Sequence, residues 1–162
     1  MNQQADIERE QGNLEVARDF YQRALKAFRV AADRWGSARS LADLGYVCCE
    51  QKDYEAAHAA YREALEVFSQ LGHKRGMARA LEGFACLAAA RGNPVRTLRL
   101  AAAATHLRQL ISAPLFQAEQ TRLDQTLSSA WESLGEAEGK AAWAEGSALN
   151  IESAIEYSLQ KS

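Results

Sequence analysis

Among 162 residues there are only ten glycines and two prolines, 48% of the chain is hydrophobic, and charge is balanced at 19 basic against 21 acidic residues. Those scarcities describe one ordinary domain, long enough to bury roughly two-thirds of its unfolded surface, and exclude disorder as a description of the whole. Long apolar runs are missing too: the apolar stretch Leu100 to Leu107 is far short of the ~20 apolar residues of a membrane span. No basic segment followed by an apolar one opens the chain, so nothing points to secretion and a cytoplasmic location is expected. A net charge of −2 offers no electrostatic footprint for nucleic acid.

Cysteine is scarce and badly spaced for cross-linking. Cys48 and Cys49 are adjacent, and on a helix their side chains diverge by ~100°. Cys86 stands alone, and no C-x-x-C pair occurs, so three reduced thiols and no structural zinc are expected. The histidines His58, His73 and His106 fall on separate elements, none at i, i+4 from another ligand. The segment Gly72-His73-Lys74-Arg75-Gly76 lacks the order of a phosphate loop and follows a helix, so it reads as a turn between repeats. The carboxylates are scattered along helix faces, the default of solvated charge. No catalytic constellation, no cofactor site and no metal site is expected, and hence no enzyme.

What the chain does contain is a repeat. An offset of 40 residues pairs Glu15 with Glu55, Ala17 with Ala57, Tyr21 with Tyr61, Ala24 with Ala64, Leu25 with Leu65 and Phe28 with Phe68. It continues through Gly36 with Gly76, Ala38 with Ala78, Arg39 with Arg79 and Leu41 with Leu81. A weaker third copy keeps Gly12, Lys52 and Gly92 at one turn position and Asn13, Asp53 and Asn93 at the next. Within a unit, Leu41, Leu44, Val47 and Cys48 mark one face of a helix over 38–51, and Asp53 is placed to cap a second helix over 54–71. Gly72 and Gly76 punctuate the return. A two-helix unit cannot bury its apolar face alone and must stack on its neighbours.

The spacing of Leu41, Leu44 and Gly45, then Ala57, Tyr61 and Ala64, resembles the tetratricopeptide repeat, in a longer 40-residue variety similar to that of bacterial regulators and peptide-sensing proteins. Cys48 replaces the family's usual Tyr and Ser69 its frequent Pro, while Thr97 and Ala101 make the third copy degenerate. The resemblance implies an all-α, right-handed superhelix of about three helical hairpins over 1–111, with 112–162 as a helical cap of the same domain. In that tail Gln117 to Leu134, 136–146 and a last helix capped by Asn150 are expected, with Gly135 as a stop and Trp131 on the apolar stripe. The run Leu100 to Leu110, the segments Ala113-Pro114-Leu115 and Arg122-Leu123, and Ala141-Ala142-Trp143-Ala144-Glu145-Gly146 are similar to the C-terminal region of large bacterial ATPase-type (LuxR-like) transcriptional regulators.

In the tetratricopeptide family the first helix of each hairpin lines the concave face, where peptides or helices are held. Carried over by position, the partner-binding residues implied here are Asp6, Arg9, Arg39, Asp43, Tyr46, Glu50, Arg79, Glu82 and Cys86. Asp6, Asp43 and Gly83 stand at positions where the family's carboxylate clamp would need Lys or Asn, which argues against a chaperone tail. Arg39 and Arg79 could instead pair with Glu15 or Glu55, and Trp35 could be either an exposed anchor or packing. The implied role is a protein-interaction scaffold at the sensor end of a signalling or transcription regulator, or alternatively a signal-peptide or small-ligand receptor module. By the 40-residue offset Met1 aligns with Leu41, inside a repeat helix, so an uncapped edge including Ile7 and Leu14 is expected to favour a homodimer.

Overall fold

Gly12, Ala32, Lys52, Gly72, Gly92 and Ser112, spaced 20 residues apart, all have left-handed backbones, with φ between 51° and 81°. Each ends a helix. The N–H of Ala32 donates to the Arg29 carbonyl and that of Asp33 to the Phe28 carbonyl, and the same bond pair recurs at the other five turns. This double closure satisfies carbonyls that the last turn of a helix would otherwise leave open. The next residue then starts the following helix: Asp33 accepts from Gly36 N–H at 2.9 Å, Asp53 from Ala56 at 3.3 Å and Asn93 from Arg96 at 3.1 Å. At the fourth turn His73 takes the role, its Nδ1 accepting from Gly76 N–H at 3.0 Å.

This punctuation sets the elements of the computed structural model, which describes residues 2–161: α1 (Asn2–Glu10), α2 (Leu14–Val30), α3 (Arg34–Glu50), α4 (Tyr54–Gln70), α5 (Lys74–Ala90), α6 (Pro94–Leu110), α7 (Gln117–Ser147) and α8 (Ile151–Leu159). The described residues are all-α, as in a tetratricopeptide-like solenoid, with α1 to α4 packing consecutively and α6 packing against α7. Met1, on which the expectation of an uncovered first turn rested, lies outside them. Caps move two boundaries from their expected places. α3 begins at Arg34 rather than Ala38, because Asp33 fixes the backbone before the first apolar contact is reached. Gly76 lies inside α5 rather than in the turn, and the Phe68 ring occupies the space its Cβ would need, as the Phe28 ring does at Gly36. The glycines conserved by the 40-residue offset are therefore seats for aromatic rings.

Three of the six left-handed positions carry a side chain, each at a cost of about 1 kcal/mol relative to glycine. Ala32→Gly and Lys52→Gly should each raise the unfolding free energy by about that amount. Urea melts of the single and double variants, with unchanged slope, check it.

The chain divides into two compact units, Met1–Gly76 and Met77–Ser162. In the first, Ala5, Ala17, Tyr21 and Val47 form a buried cluster onto which Leu14, Phe20 and Leu44 pack. Leu14 thus belongs to the core rather than to an exposed edge, whereas Ile7 is exposed. Arg18 on α2 donates to Gln51 and to Asp53, both at 2.9 Å, tying α2 to the turn after α3. The Arg18 bond, followed by the backbone N–H of Ala56, holds the Asp53 carboxyl below its ordinary range. A lowered acid contributes stability above its unfolded value and loses it as pH falls through the folded one. Asp53→Asn keeps the cap acceptor but not the charge, so its stability deficit, measured by urea melts, should be present at neutral pH and shrink below about pH 4.

In the second unit α6 is the central element. Its buried residues point to all sides, with Leu98, Leu100, Ala101, Ala102, Ala103, Ala104 and Leu107 enclosed along with Arg96, Thr97 and Arg108, and α7 packs along it. α7 is interrupted at Gly135, whose φ of 75° and ψ of 175° are not helical. Beyond that break the chain turns back, Trp131 stacking near Trp143 with ring centroids 6.0 Å apart. Gly146 then meets the backbone of Arg99, 2.7 Å separating Arg99 Cα from the place of a Cβ. Asn150 caps α8 by accepting from Ser153 N–H at 2.8 Å. Buried Arg96 fastens α8 to α6, donating to the carbonyls of Ser158 at 2.8 Å and Gln160 at 2.7 Å while lying 4.8 Å from the Tyr157 ring.

Candidate functional site

The residues singled out as partner-binding fall on α1, α3 and α5, and the two units arrange them differently. In the first unit, Trp35, Arg39, Tyr46 and Glu50 share one stripe of α3, at spacings of four, seven and four residues. Arg9 of α1 lies across it, its guanidinium 5.2 Å from the Tyr46 ring centre and 3.9 Å from the Asp6 carboxylate. Arg39 lies 5.8 Å from the centre of the Trp35 ring. Two guanidinium–aromatic pairs result; Arg9, Tyr46 and Arg39 are partly buried, the Arg9 side chain being only 12% exposed, whereas Trp35 is 46% exposed. Glu50 is exposed beside them. Arg39 therefore stacks rather than pairing with Glu15, whose carboxylate accepts from Gln51 Nε2 at 2.8 Å.

Asp43 does not belong to that open stripe. It is 1% exposed, because the helix turns it inward towards Tyr21. The Tyr21 hydroxyl donates to Asp6 at 2.5 Å. Burial first, then the negative charge of Asp43, holds the Tyr21 phenol far above its usual range, so it stays protonated and serves as a fixed donor. Asp6 is thereby oriented for Arg9.

On α5 the corresponding set is differently engaged. Arg108 of α6 grips Glu82 with two bonds, from Nε and from Nη2 at 3.0 Å, and donates from Nη1 to the Ala113 carbonyl at 3.1 Å. Burial pushes the Glu82 carboxyl up, and Arg108 opposes that shift. Such a bidentate, nearly enclosed pair fixes the loop after α6 more than it invites a ligand. Arg79 lies in the field of Glu82, and the Cys86 thiol is 3.9 Å from the Thr126 hydroxyl of α7.

Two further features were not identified from the sequence. An open groove of about 630 Å³ in the first unit is lined by Gln22, Leu25, Lys26, Arg29 and Val30 of α2 and Leu44 of α3. One signal was available: Val30 is apolar where Gln70 stands one period later. A narrower groove of about 380 Å³ in the second unit runs between Leu81, Leu107, Leu110, Leu149 and Ile151, with His106 at its side. Its walls come from the joint between α7 and α8, which the repeat does not encode.

His73 also gains a role. Besides capping α5 through Nδ1, it receives Trp35 Nε1–H at Nε2, 3.3 Å away, and stacks on Phe68. A neutral imidazole has one lone pair, so it can accept only one of these two N–H groups at a time.

Among the described residues no group of three His, Cys, Asp or Glu is placed to hold a metal ion, and no helix is long and apolar enough to cross a membrane. No curated protein and no solved structure matches the chain. A profile of the tetratricopeptide repeat family matches residues 1–70, which supports a tetratricopeptide domain and, with it, the protein-interaction role general to such repeats.

Proposed function

We propose that the chain is a non-catalytic scaffold that holds a peptide or protein segment on the face of the first unit formed by Asp6, Arg9, Arg39, Tyr46 and Glu50. The observation that carries this reading is the pair of guanidinium–aromatic contacts, Arg9 on Tyr46 and Arg39 on Trp35, the second of them reaching the surface through the exposed Trp35 ring. Rigid aromatics and planar cations lose little conformational freedom on binding and are the residues on which interfaces most depend. The likeness of the tail from Leu100 onward to large bacterial regulators supports placement at the sensor or scaffold end of a signalling or transcription regulator. The residues at 112–162 then serve as a cap over the last repeat.

Selection of random displayed peptides on the whole chain tests the scaffold reading. Enriched peptides should lose affinity by about tenfold or more towards an Arg9→Glu, Arg39→Glu double variant that melts like the parent. Peptides that bind both proteins equally would place recognition elsewhere.

A second reading rests on the leucine-lined groove beside His106. It is of a size that suits a small apolar ligand, and Leu110 is 66% exposed at it. A receptor role predicts that an apolar fluorescent probe binds with a stoichiometry of about one and is lost on Leu110→Glu.

A further inference from the structure

At the fourth turn one imidazole is offered two hydrogens. His73 Nδ1 faces the Gly76 N–H at 3.0 Å, and its Nε2 faces the Trp35 indole N–H at 3.3 Å. The cap takes precedence. It serves the backbone of buried Gly76 in the first turn of α5, where an unmet donor is costly, and the same bond recurs at Asp33, Asp53 and Asn93. Which ring nitrogen carries the proton is set by the bond the other one makes. In every form of the ring that keeps this cap, Nε2 therefore bears the hydrogen. Trp35 Nε1–H and His73 Nε2–H then meet as two donors, and each needs an acceptor that the other cannot supply.

The surroundings of this pair are cationic. Arg34 precedes Trp35 and donates to the neutral Gln70 of α4, and Arg39 lies beside the Trp35 ring. Lys74 and Arg75 follow His73 and are exposed. From α4 the imidazole is met by the uncharged Phe68 ring. Asp33, the acid next to Arg34, is engaged as the cap of α3. All of these residues belong to the first unit. Two opposed donors among four cations suit an oxyanion, which accepts from both N–H groups and whose charge answers the guanidinium and ammonium groups.

We infer that Trp35 and His73 form a carboxylate-binding site that takes the side chain of an aspartate or glutamate of a bound peptide. The inference rests on the scaffold reading for its peptide and adds the chemistry and direction of that peptide. Trp35 stands at one end of the α3 stripe, and exposed, negative Glu50 stands at the other, a rise of about 22 Å along the helix. An acidic residue is drawn to the first end and turned away from the second. The histidine is what sets this turn apart: an aspartate there, as at the α3 and α4 caps, would close the helix start but repel the anion.

The test uses the whole chain with a labelled tetraglutamate peptide, and tetraglutamine as its control. Affinity is read by fluorescence anisotropy, and place by the indole N–H resonance that Trp35→Phe removes. Tetraglutamate should bind saturably and move that resonance; tetraglutamine should do neither. Trp35→Phe keeps an aromatic ring without its N–H, and His73→Ser keeps a capping oxygen without the second donor. Each should weaken binding about tenfold. Should His73→Ser melt below the parent, Trp35→Phe decides, because that side chain is exposed. No saturable binding at about 10 mM, an equal response to tetraglutamine, or unchanged affinity in Trp35→Phe overturns the proposal, the last by leaving only a diffuse cationic surface. Free glutamate binding as tightly as tetraglutamate overturns it too, by making the ligand an amino acid. Displayed peptides that need Arg9 while tetraglutamate moves nothing would sink this site alone. Tetraglutamate binding that needs Trp35, with displayed peptides indifferent to Arg9 and Arg39, would sink the scaffold reading alone.

Discussion

Truncating Tyr61 to alanine should lower the unfolding free energy by about 3–4 kcal/mol, the range for removing an aromatic ring from a packed interior. The residue is 2% exposed, and its ring lies on Gly45, 2.7 Å from where a Cβ would stand. Two losses combine: apolar contact area disappears, and a void opens that α3 cannot collapse to fill without moving its neighbours. Because the ring and the glycine form one contact, Gly45→Ala should be less harmful in the Tyr61→Ala background than in the parent. Urea melts of both single variants and the double give the coupling directly. A Tyr61→Ala loss under about 1 kcal/mol would mean that ring and glycine are not the fastening between α3 and α4.

Gly146→Ala should cost about 3 kcal/mol, at the upper end for overpacking. The obstacle is unusual in kind. At Gly139 an added methyl meets the Trp131 ring, and a ring can swing aside; at Gly146 it meets the carbonyl oxygen and Cα of Arg99, which are backbone of the central helix. Relief then requires the last turns of α7 to lift away from α6. Gly139→Ala is the control, expected to shift the environment of Trp131 and Trp143 at a smaller loss. Thermal melts with tryptophan emission as a second readout separate the two. Equal losses at the two glycines would contradict the assignment of a backbone clash.

Much of the fold could be read from the chain because its signals are local and repeated. Asp53 and Asn150 cap where their spacing placed them, and Gly135 interrupts the tail helix as expected. Gly76 was misplaced for a physical reason: glycine serves both turns and close packing, and only the position of the Phe68 ring distinguishes the two uses. The expected start of α3 was late because its polar cap, Asp33, acts ahead of the apolar stripe, whereas Tyr54 and Gln117 begin α4 and α7 where expected. On the candidate site, position in a hairpin indicated which helix bears a residue but not how deeply it lies. Asp43 follows its helix into the interior, and Glu82 is drawn into a pair by Arg108, a partner 26 residues away that no periodicity announces. The Arg9–Tyr46 and Arg39–Trp35 stacks likewise depend on side chains meeting, which spacing alone does not fix.

The left-handed residue that recurs every 20 positions gives this chain something like a reading frame. Two such intervals return the same kind of helix to the same side, with its aromatic seat, cap and closing turn in phase. One interval alone exchanges the two helices of a hairpin, so the stripe that faced a neighbour would face water. Insertions or deletions of 40 residues are therefore changes in length, whereas those of any other small number are changes in meaning.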